Sequence, residues 1–124
     1  MDITSPLEAV VDAAPDGTPG TTDGARITLR GRIDRDGDGA LGAAYREVTA
    51  LDAPVVHLDF AGVGYINSTG IALIVRLLAE ARRDRREVRA SGLSEHYREI
   101  FRITRLSDFM TLVDDDTTSE GAPA

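Results

Sequence analysis

The sequence contains no cysteine, and this absence excludes both disulfide bonds and thiolate metal sites. No window approaches eighteen consecutive apolar residues, so we expect no membrane-spanning helix. Residues 1–6 lack the basic start and the apolar run of a signal peptide. Together these absences predict a cytoplasmic protein with no membrane partner.

Basic residues are outnumbered in this chain, with 14 Lys and Arg against 21 Asp and Glu, a net charge of −7 and a pI near 4.7. Binding to the phosphates of nucleic acid requires a surplus of positive charge, so nucleic acid is not expected as a partner. The 42% of hydrophobic and 28% of charged residues are typical of a soluble globular protein. At 124 residues the chain can bury one core, and we predict a single domain over residues 1–124.

Five segments have the residue pattern of β-strands. In the second, Ile27, Leu29 and Ile33 share one side, which indicates a half-buried strand. Residues 13–24, which precede it, are rich in turn-forming residues and predict a flexible loop. After the third strand, residues 62–64 include two glycines and are expected to loosen the chain. The five predicted strands are residues 7–11, 26–33, 55–60, 87–90 and 108–113.

Three segments have the spacing of amphipathic helices, and the first of them, residues 40–51, ends before Pro54. The second begins at Gly70 with a broad apolar face, and Ser94 is expected to cap the third. The predicted inward row of the third helix is Tyr97, Ile100, Phe101 and Thr104. An acidic tail, residues 114–124, is expected to fray. Strands that alternate with helices indicate βαβ crossovers, hence an α/β protein with a mainly parallel sheet.

Residues 34–39 resemble the opening of a calcium-binding EF-hand loop, because aspartates alternate with other residues before a glycine. That loop requires a bidentate glutamate at its twelfth position to complete the oxygen shell, and this position is Tyr45 here. A strand also precedes the segment, where an EF-hand has a helix. We therefore interpret it as an acidic loop before the first helix, where the helix dipole favours carboxylates, and we predict no metal site.

No arrangement of residues indicates an enzyme. His57 and His96 have no second ligand at a metal-binding spacing. Ser68 lacks the flanking glycine of a nucleophile elbow and has no motif that supplies a base. Residues 82–86 include four arginines, which we interpret as a solvated helix end that complements the dipole. The sequence thus predicts no catalytic residue and no cofactor.

The turn at residues 67–70 is the remaining candidate site. Asn67 is expected to turn the chain and Gly70 to allow close packing. Ser68 or Thr69 is expected to cap the second helix. A hydroxyl at the exposed start of a helix is within reach of a kinase, and phosphate there adds about −1.5 to −2 charges. A partner docked on residues 65–71 would meet this charge, so such a turn can switch binding without a change of fold.

Residues 56–71, with the sequence VHLDFAGVGYINSTGI, resemble the signature of STAS domains of the bacterial anti-sigma-factor antagonist type. The resemblance extends upstream to residues 31–34 (GRID) and downstream to residues 100–106 (IFRITRL). It covers about residues 26–113, most of the chain. It implies a STAS-like α/β fold, a mixed and mostly parallel sheet of four or five strands with three or four helices.

The resemblance also implies a partner and a switch. Unphosphorylated members of this family bind an anti-sigma factor with serine kinase activity and so free its sigma factor, and the kinase inactivates them by phosphorylating one serine. That serine corresponds to Ser68, with Thr69 as the second choice, and a monomer or weak dimer is expected. The family's commonest residue before the phosphoserine is aspartate, whereas this chain has Asn67. The implied partner-binding residues are Asp34, Asn67, Ser68, Thr69 and Gly70.

Two other hypotheses stay open from the sequence. The chain can be a STAS module that binds a different protein or a small ligand without phosphorylation, with Ser68 serving only as a helix cap. An enzyme ranks below both, because no acid–base pair or metal cluster is visible. Phosphorylation by a kinase anti-sigma factor distinguishes the first two hypotheses.

Overall fold

The computed structural model describes residues 5–13 and 24–113, which form a five-stranded sheet and three α-helices. The strands are β1 (Glu8–Ala13), β2 (Gly24–Ile33), β3 (Val55–Ile66), β4 (Glu87–Ser91) and β5 (Thr111–Val113). The helices are α1 (Asp38–Leu51), α2 (Ser68–Arg83) and α3 (Glu95–Ile103), and 3₁₀ turns lie at Arg35–Gly37 and Leu106–Asp108. None of the helices in the described residues is both long enough and apolar enough to cross a membrane.

The strands lie in the sheet in chain order, β1 to β5. β1 is antiparallel to β2, and each later neighbouring pair is parallel. A parallel pair requires a crossover, and α1, α2 and α3 supply the three that the sheet needs. Because such crossovers share one hand, successive helices in this strand order lie on the same face. The predicted α/β class, with a mixed and mostly parallel sheet, is confirmed.

Burial alternates along the central strands. Ile27 and Leu58 are fully or almost fully buried beneath the helices, whereas their neighbours Arg26, His57 and Asp59 are partly exposed. On this uncovered face, an ion pair of 3.6 Å joins Arg26 to Asp59. The helices therefore cover only one face of the sheet, and the polar residues of each strand line the other.

Several predicted boundaries are wrong. β3 does not loosen at residues 62–64 but continues to Ile66, because β2 extends to Ile33 and pairs with it over two register shifts. β5 begins at Thr111, after a 3₁₀ turn where a strand was expected. Most of the predicted loop at residues 13–24 and all of the predicted tail at 114–124 lie outside the described residues.

α3 closes one end of the core. The predicted cap is confirmed, because the Ser94 hydroxyl oxygen accepts from the backbone N–H of Tyr97 at 3.2 Å. Phe101 is fully buried and meets Phe60 edge to face, with ring centroids 5.9 Å apart. Thr104 was predicted to point inward, but it is the exposed C-cap residue, and its hydroxyl donates to the backbone of the preceding turn. Phe101 is thus the main apolar anchor of α3.

A buried guanidinium joins the end of α2 to the end of α1. The Arg86 side chain is 8% exposed and donates to the carbonyl oxygen of Ala53 at 2.6 Å. It also donates to the Tyr45 hydroxyl at 3.3 Å, which in turn donates to the Asp84 carboxylate at 2.7 Å. Burial, followed by the hydrogen bond to Asp84, raises the pKa of Tyr45. The prediction of a solvated arginine cluster is therefore wrong for Arg86.

We expect Phe101→Ala to lower the free energy of unfolding by about 3–5 kcal/mol, because it leaves a cavity under α3. Phe109→Ala is the matched control, since Phe109 is 48% exposed and its loss should cost less than about 1 kcal/mol. Urea denaturation of both variants checks this. Similar losses in the two would show that α3 is not anchored through Phe101.

Candidate functional site

The candidate site is the β3–α2 turn (residues 67–70), where one residue separates a strand from a helix. Asn67 is extended, with φ −99°, and its side-chain oxygen accepts from the backbone N–H of Gly70 at 2.8 Å. Asn67 is therefore the N-cap of α2, a position that asparagine favours strongly. The prediction that Ser68 or Thr69 caps this helix is wrong, since both lie inside its first turn.

The two hydroxyl side chains of the β3–α2 turn are exposed. Ser68 and Thr69 make no side-chain hydrogen bond to any other described residue. Because Asn67 already caps the helix, both hydroxyls stay available at the positive end of the α2 dipole. The first turn of α2 contains no acidic residue. The turn thus displays two hydroxyls where a negative charge is favoured.

Gly70 allows the start of α2 to rest directly on the end of β2. A Cβ atom at this position would lie 2.0 Å from the carbonyl oxygen of Ile33. The same oxygen accepts from the backbone N–H of Asn67 at 3.2 Å. The close-packing role predicted for Gly70 is confirmed, and it fixes the turn against backbone that cannot move aside cheaply.

A tyrosine from α3 supports the turn from another side. The Tyr97 hydroxyl oxygen accepts from the backbone N–H of Ile66 at 2.9 Å and lies 3.4 Å from its carbonyl oxygen. These groups belong to the last residue of β3, beside Asn67. Tyr97 was predicted to belong to the inward row of α3, and its contact with Ile66 was not predicted. The available signal was the phenol itself, because a half-buried tyrosine usually finds a hydrogen-bond partner.

Asp34 lies next to this turn because it follows Ile33, the residue on which α2 rests. Its carboxylate accepts from the Arg32 guanidinium at 2.6 Å and from the backbone N–H of Asp36 at 3.0 Å. The hydrogen bond from Arg32, more than any other contact, holds the pKa of Asp34 below its usual range. Asp34 therefore stays ionised near neutral pH and caps the 3₁₀ turn. Arg32 was missed in the sequence, where it is one of three arginines along the same strand.

The carboxylates that resembled a calcium loop are held by arginines. Asp34 and Asp36 both face Arg32, at 2.6 and 3.7 Å. Asp38 lies in the first turn of α1 and pairs with Arg76 of α2 at 2.8 Å. Within residues 5–13 and 24–113, no group of three His, Cys, Asp or Glu is placed to hold a metal ion. The acidic loop is thus explained by ion pairs.

The structure brings the sequence-predicted site residues to one end of the sheet. Asn67 and Gly70 form the rigid underside of the β3–α2 turn, and Ser68 and Thr69 form its exposed top. Asp34 is joined to the turn through the Ile33 carbonyl. This arrangement can present hydroxyls and a helix N-terminus to a partner.

Comparisons with known proteins agree with this geometry. A family model described as "Mlab, STAS domain" matches residues 17–114. A solved anti-sigma factor antagonist from Mycobacterium paratuberculosis is similar in structure, with a TM-score of 0.68, 19% identity and 88% of each chain covered. Unphosphorylated SpoIIAA, an anti-sigma factor antagonist, gives a TM-score of 0.63 at 15% identity over 90% of this chain and 91% of that one.

Phosphorylated SpoIIAA, a Bacillus cell fate determinant, gives a TM-score of 0.62 at 16% identity, covering 90% of this chain and 94% of that one. A search of curated protein sequences found no match. These structural likenesses establish that the fold is STAS-like.

We expect Asn67→Ala to lower the free energy of unfolding by about 1 kcal/mol, because it removes the N-cap of α2. Ser68→Ala, one residue later, should change it by less than about 0.5 kcal/mol, since its hydroxyl holds no helix end. Urea titration of the two variants compares them directly. A larger loss of stability in Ser68→Ala than in Asn67→Ala would show that Ser68, and not Asn67, caps α2.

Gly70→Ala should destabilise the protein by about 2–3 kcal/mol, because its Cβ would overlap the Ile33 carbonyl and force the backbone apart. Gly42→Ala in α1 is the matched control, since among the described residues only an Arg46 side-chain nitrogen, at 3.7 Å, lies near its Cβ. That control should be stabilised by about 0.5–1 kcal/mol through helix propensity. Thermal denaturation showing stabilisation of both variants would contradict the close approach at Gly70.

Proposed function

The chain belongs to the STAS domain family, and on that premise we propose that it is an anti-sigma-factor antagonist of the cytoplasm with no enzymatic activity. In its unphosphorylated form it binds an anti-sigma factor that has serine kinase activity, and so frees a sigma factor. Phosphorylation of Ser68 ends that binding. The observation that carries this proposal is the exposed Ser68 hydroxyl, which bonds no other side chain or backbone group in the described part of the chain.

The fixed backbone under Ser68 supports a switch that acts through charge. Gly70 rests on Ile33, and Tyr97 bonds the last residue of β3. A phosphate on Ser68 would therefore change the surface without releasing the turn. It would bring about −1.5 to −2 charges and three acceptor oxygens, and the N-terminus of α2 can hold such an anion.

Asn67 is compatible with this proposal although the family more often has aspartate. Its side-chain oxygen accepts from the Gly70 N–H, and asparagine and aspartate cap helices about equally well. The amide also carries no charge, so a phosphate on the next residue would meet no repulsion from it. The substitution thus keeps the geometry of the turn and lowers the electrostatic cost of phosphorylating Ser68.

Asp34 contributes a negative charge to the proposed partner surface. Its carboxylate is ionised and held by Arg32, so a partner meets a fixed acceptor beside the β3–α2 turn. Asn67, Thr69 and Gly70 complete the surface that we assign to the partner. A phosphate would add to the negative charge of Asp34, and a partner complementary to the unmodified surface would lose affinity.

One observation favours a second candidate function. The family model that matches this chain is described by the name Mlab and not as an anti-sigma-factor antagonist. The second candidate is therefore a STAS module that binds another protein or a small ligand regardless of phosphorylation. In that case the exposed face of the β3–α2 turn would be a contact surface, and Ser68 an ordinary residue in it.

The test is incubation of the purified chain with the kinase anti-sigma factor of its own organism and ATP, followed by intact-protein and peptide mass spectrometry. We expect one phosphate on Ser68, none on Ser68→Ala, and unchanged phosphorylation of Thr69→Ala. Binding of the unmodified chain, measured by calorimetry, should weaken at least about tenfold in Ser68→Asp.

The outcomes separate the two candidates. No phosphate on the wild type, together with equal binding by wild type and Ser68→Asp, would leave the second candidate. Phosphate on Thr69 alone would keep the switch and move its position by one residue. Because Ser68→Ala leaves the N-cap in place, its loss of phosphorylation cannot be attributed to unfolding.

A further inference from the structure

An open groove of about 460 Å³ runs between α1 and α2, outside the β3–α2 turn. Leu41 and Leu77 form its buried floor, and Leu73 is half-buried beside them. Apolar side chains at the base of a groove with charged sides are typical of a surface that receives another molecule. We call this feature the α1–α2 groove.

The groove is open because α1 has glycines where other helices carry side chains. Among the described residues, a Cβ atom at Gly39 would meet nothing within 4 Å, and one at Gly42 would meet only the Arg46 guanidinium at 3.7 Å. Glycine is one of the least favourable residues in a helix. Gly70 is required by its close packing on Ile33, whereas no such contact with a described residue requires glycine at these two positions. Because these two glycines have no side chains, the α1 side of the groove stays open.

The charges of the groove have both signs. At the end nearer the β3–α2 turn, Asp38 and Arg76 form an ion pair across it. Farther along, Arg46 on α1 and Glu80 on α2 line the groove and have no ion pair with any described residue. An occupant therefore meets an apolar floor with one available cation and one available anion beside it.

The groove is continuous with the surface proposed to bind the partner. Residues three or four apart share one side of a helix, which places Thr69, Leu73 and Arg76 in one row of α2. Thr69 belongs to the β3–α2 turn, and the other two line the groove. A protein that covers the turn can therefore extend into the groove without leaving α2.

The charge pattern selects the occupant. A phosphate-rich ligand would gain no net attraction, because Asp38 and Glu80 offset Arg46 and Arg76, and a purely apolar one would bury Arg46 and Glu80 without partners. A polypeptide segment that presents an apolar side chain between a basic and an acidic residue satisfies both requirements. Resting on the function proposed above, we propose that the α1–α2 groove receives such a segment of the anti-sigma factor, as a second docking point besides Ser68.

The first test fills the groove. Gly42→Leu replaces a helical glycine whose Cβ would meet, among the described residues, only an Arg46 nitrogen at 3.7 Å, so the gain in helix propensity should raise the melting temperature by about 2–5 °C. Its affinity for the purified anti-sigma factor, measured by calorimetry without ATP, should fall at least tenfold. Ala50→Leu adds the same side chain at an exposed position of α1 outside the groove and should bind as the wild type does.

The second test reverses one charge. Arg46→Glu should weaken binding at least fivefold, because the acidic residue of the incoming segment would then face a like charge. Glu47→Arg is the matched control, since Glu47 is exposed on the same helix and does not line the groove. It should leave binding unchanged.

Each result decides between distinct conclusions. If the wild type binds and Gly42→Leu and Arg46→Glu bind equally well, the groove proposal is overturned while the Ser68 proposal stands. If the wild type does not bind the anti-sigma factor, both proposals are overturned. If light scattering shows a wild-type dimer that Gly42→Leu abolishes without loss of partner binding, the groove belongs to a second copy of this chain, which overturns the assignment to the anti-sigma factor.

Discussion

The contact between α2 and the carbonyl group of Ile33 determines the geometry of the site. That oxygen accepts from the Asn67 N–H at 3.2 Å and occupies the space that a Cβ of residue 70 would need. With glycine there, Asn67 alone separates the end of β3 from the start of α2, and no longer loop is needed. Because the strand, the helix start and the end of β2 meet at one point, a small change there would displace all three.

The roles of the residues in the β3–α2 turn follow from this contact with Ile33. Asn67 turns its side chain toward the helix to satisfy the Gly70 N–H, and Tyr97 satisfies the N–H of the residue before it. Backbone groups that would otherwise be unpaired are thus bonded by the underside of the turn. Ser68 and Thr69 are exposed, and their hydroxyls make no hydrogen bond within the part of the chain that the structure describes. A rigid turn with exposed hydroxyls is suited to carry a modification, since a change at Ser68 or Thr69 should have little effect on the stability of the fold.

Sequence reasoning predicted the parts of this structure that depend on local pattern. The alternation of apolar and polar residues identified β2. The Ser94 cap was recognised because it is the one capping residue directly before the third helix. It failed where several local solutions compete: residues 67–69 are three good caps in a row, and pairing with β2 decides which one is used. The extension of β3 through two glycines and the burial of Arg86 likewise depend on partners distant in sequence. Such choices are made by tertiary contacts that no single segment encodes.

Arginines pair with the carboxylates near the proposed phosphorylation site. Asp34 and Asp38, near the site, are each paired with a guanidinium group, at 2.6 and 2.8 Å. Because these carboxylates are already paired, a phosphate on Ser68, as proposed, would add about two charges that dominate the potential at the start of α2 over roughly 8 Å at physiological salt. A partner bound at the β3–α2 turn would lie within that distance, so in the proposed function the pairing of arginine with acid around the turn would strengthen the effect of one phosphate on binding.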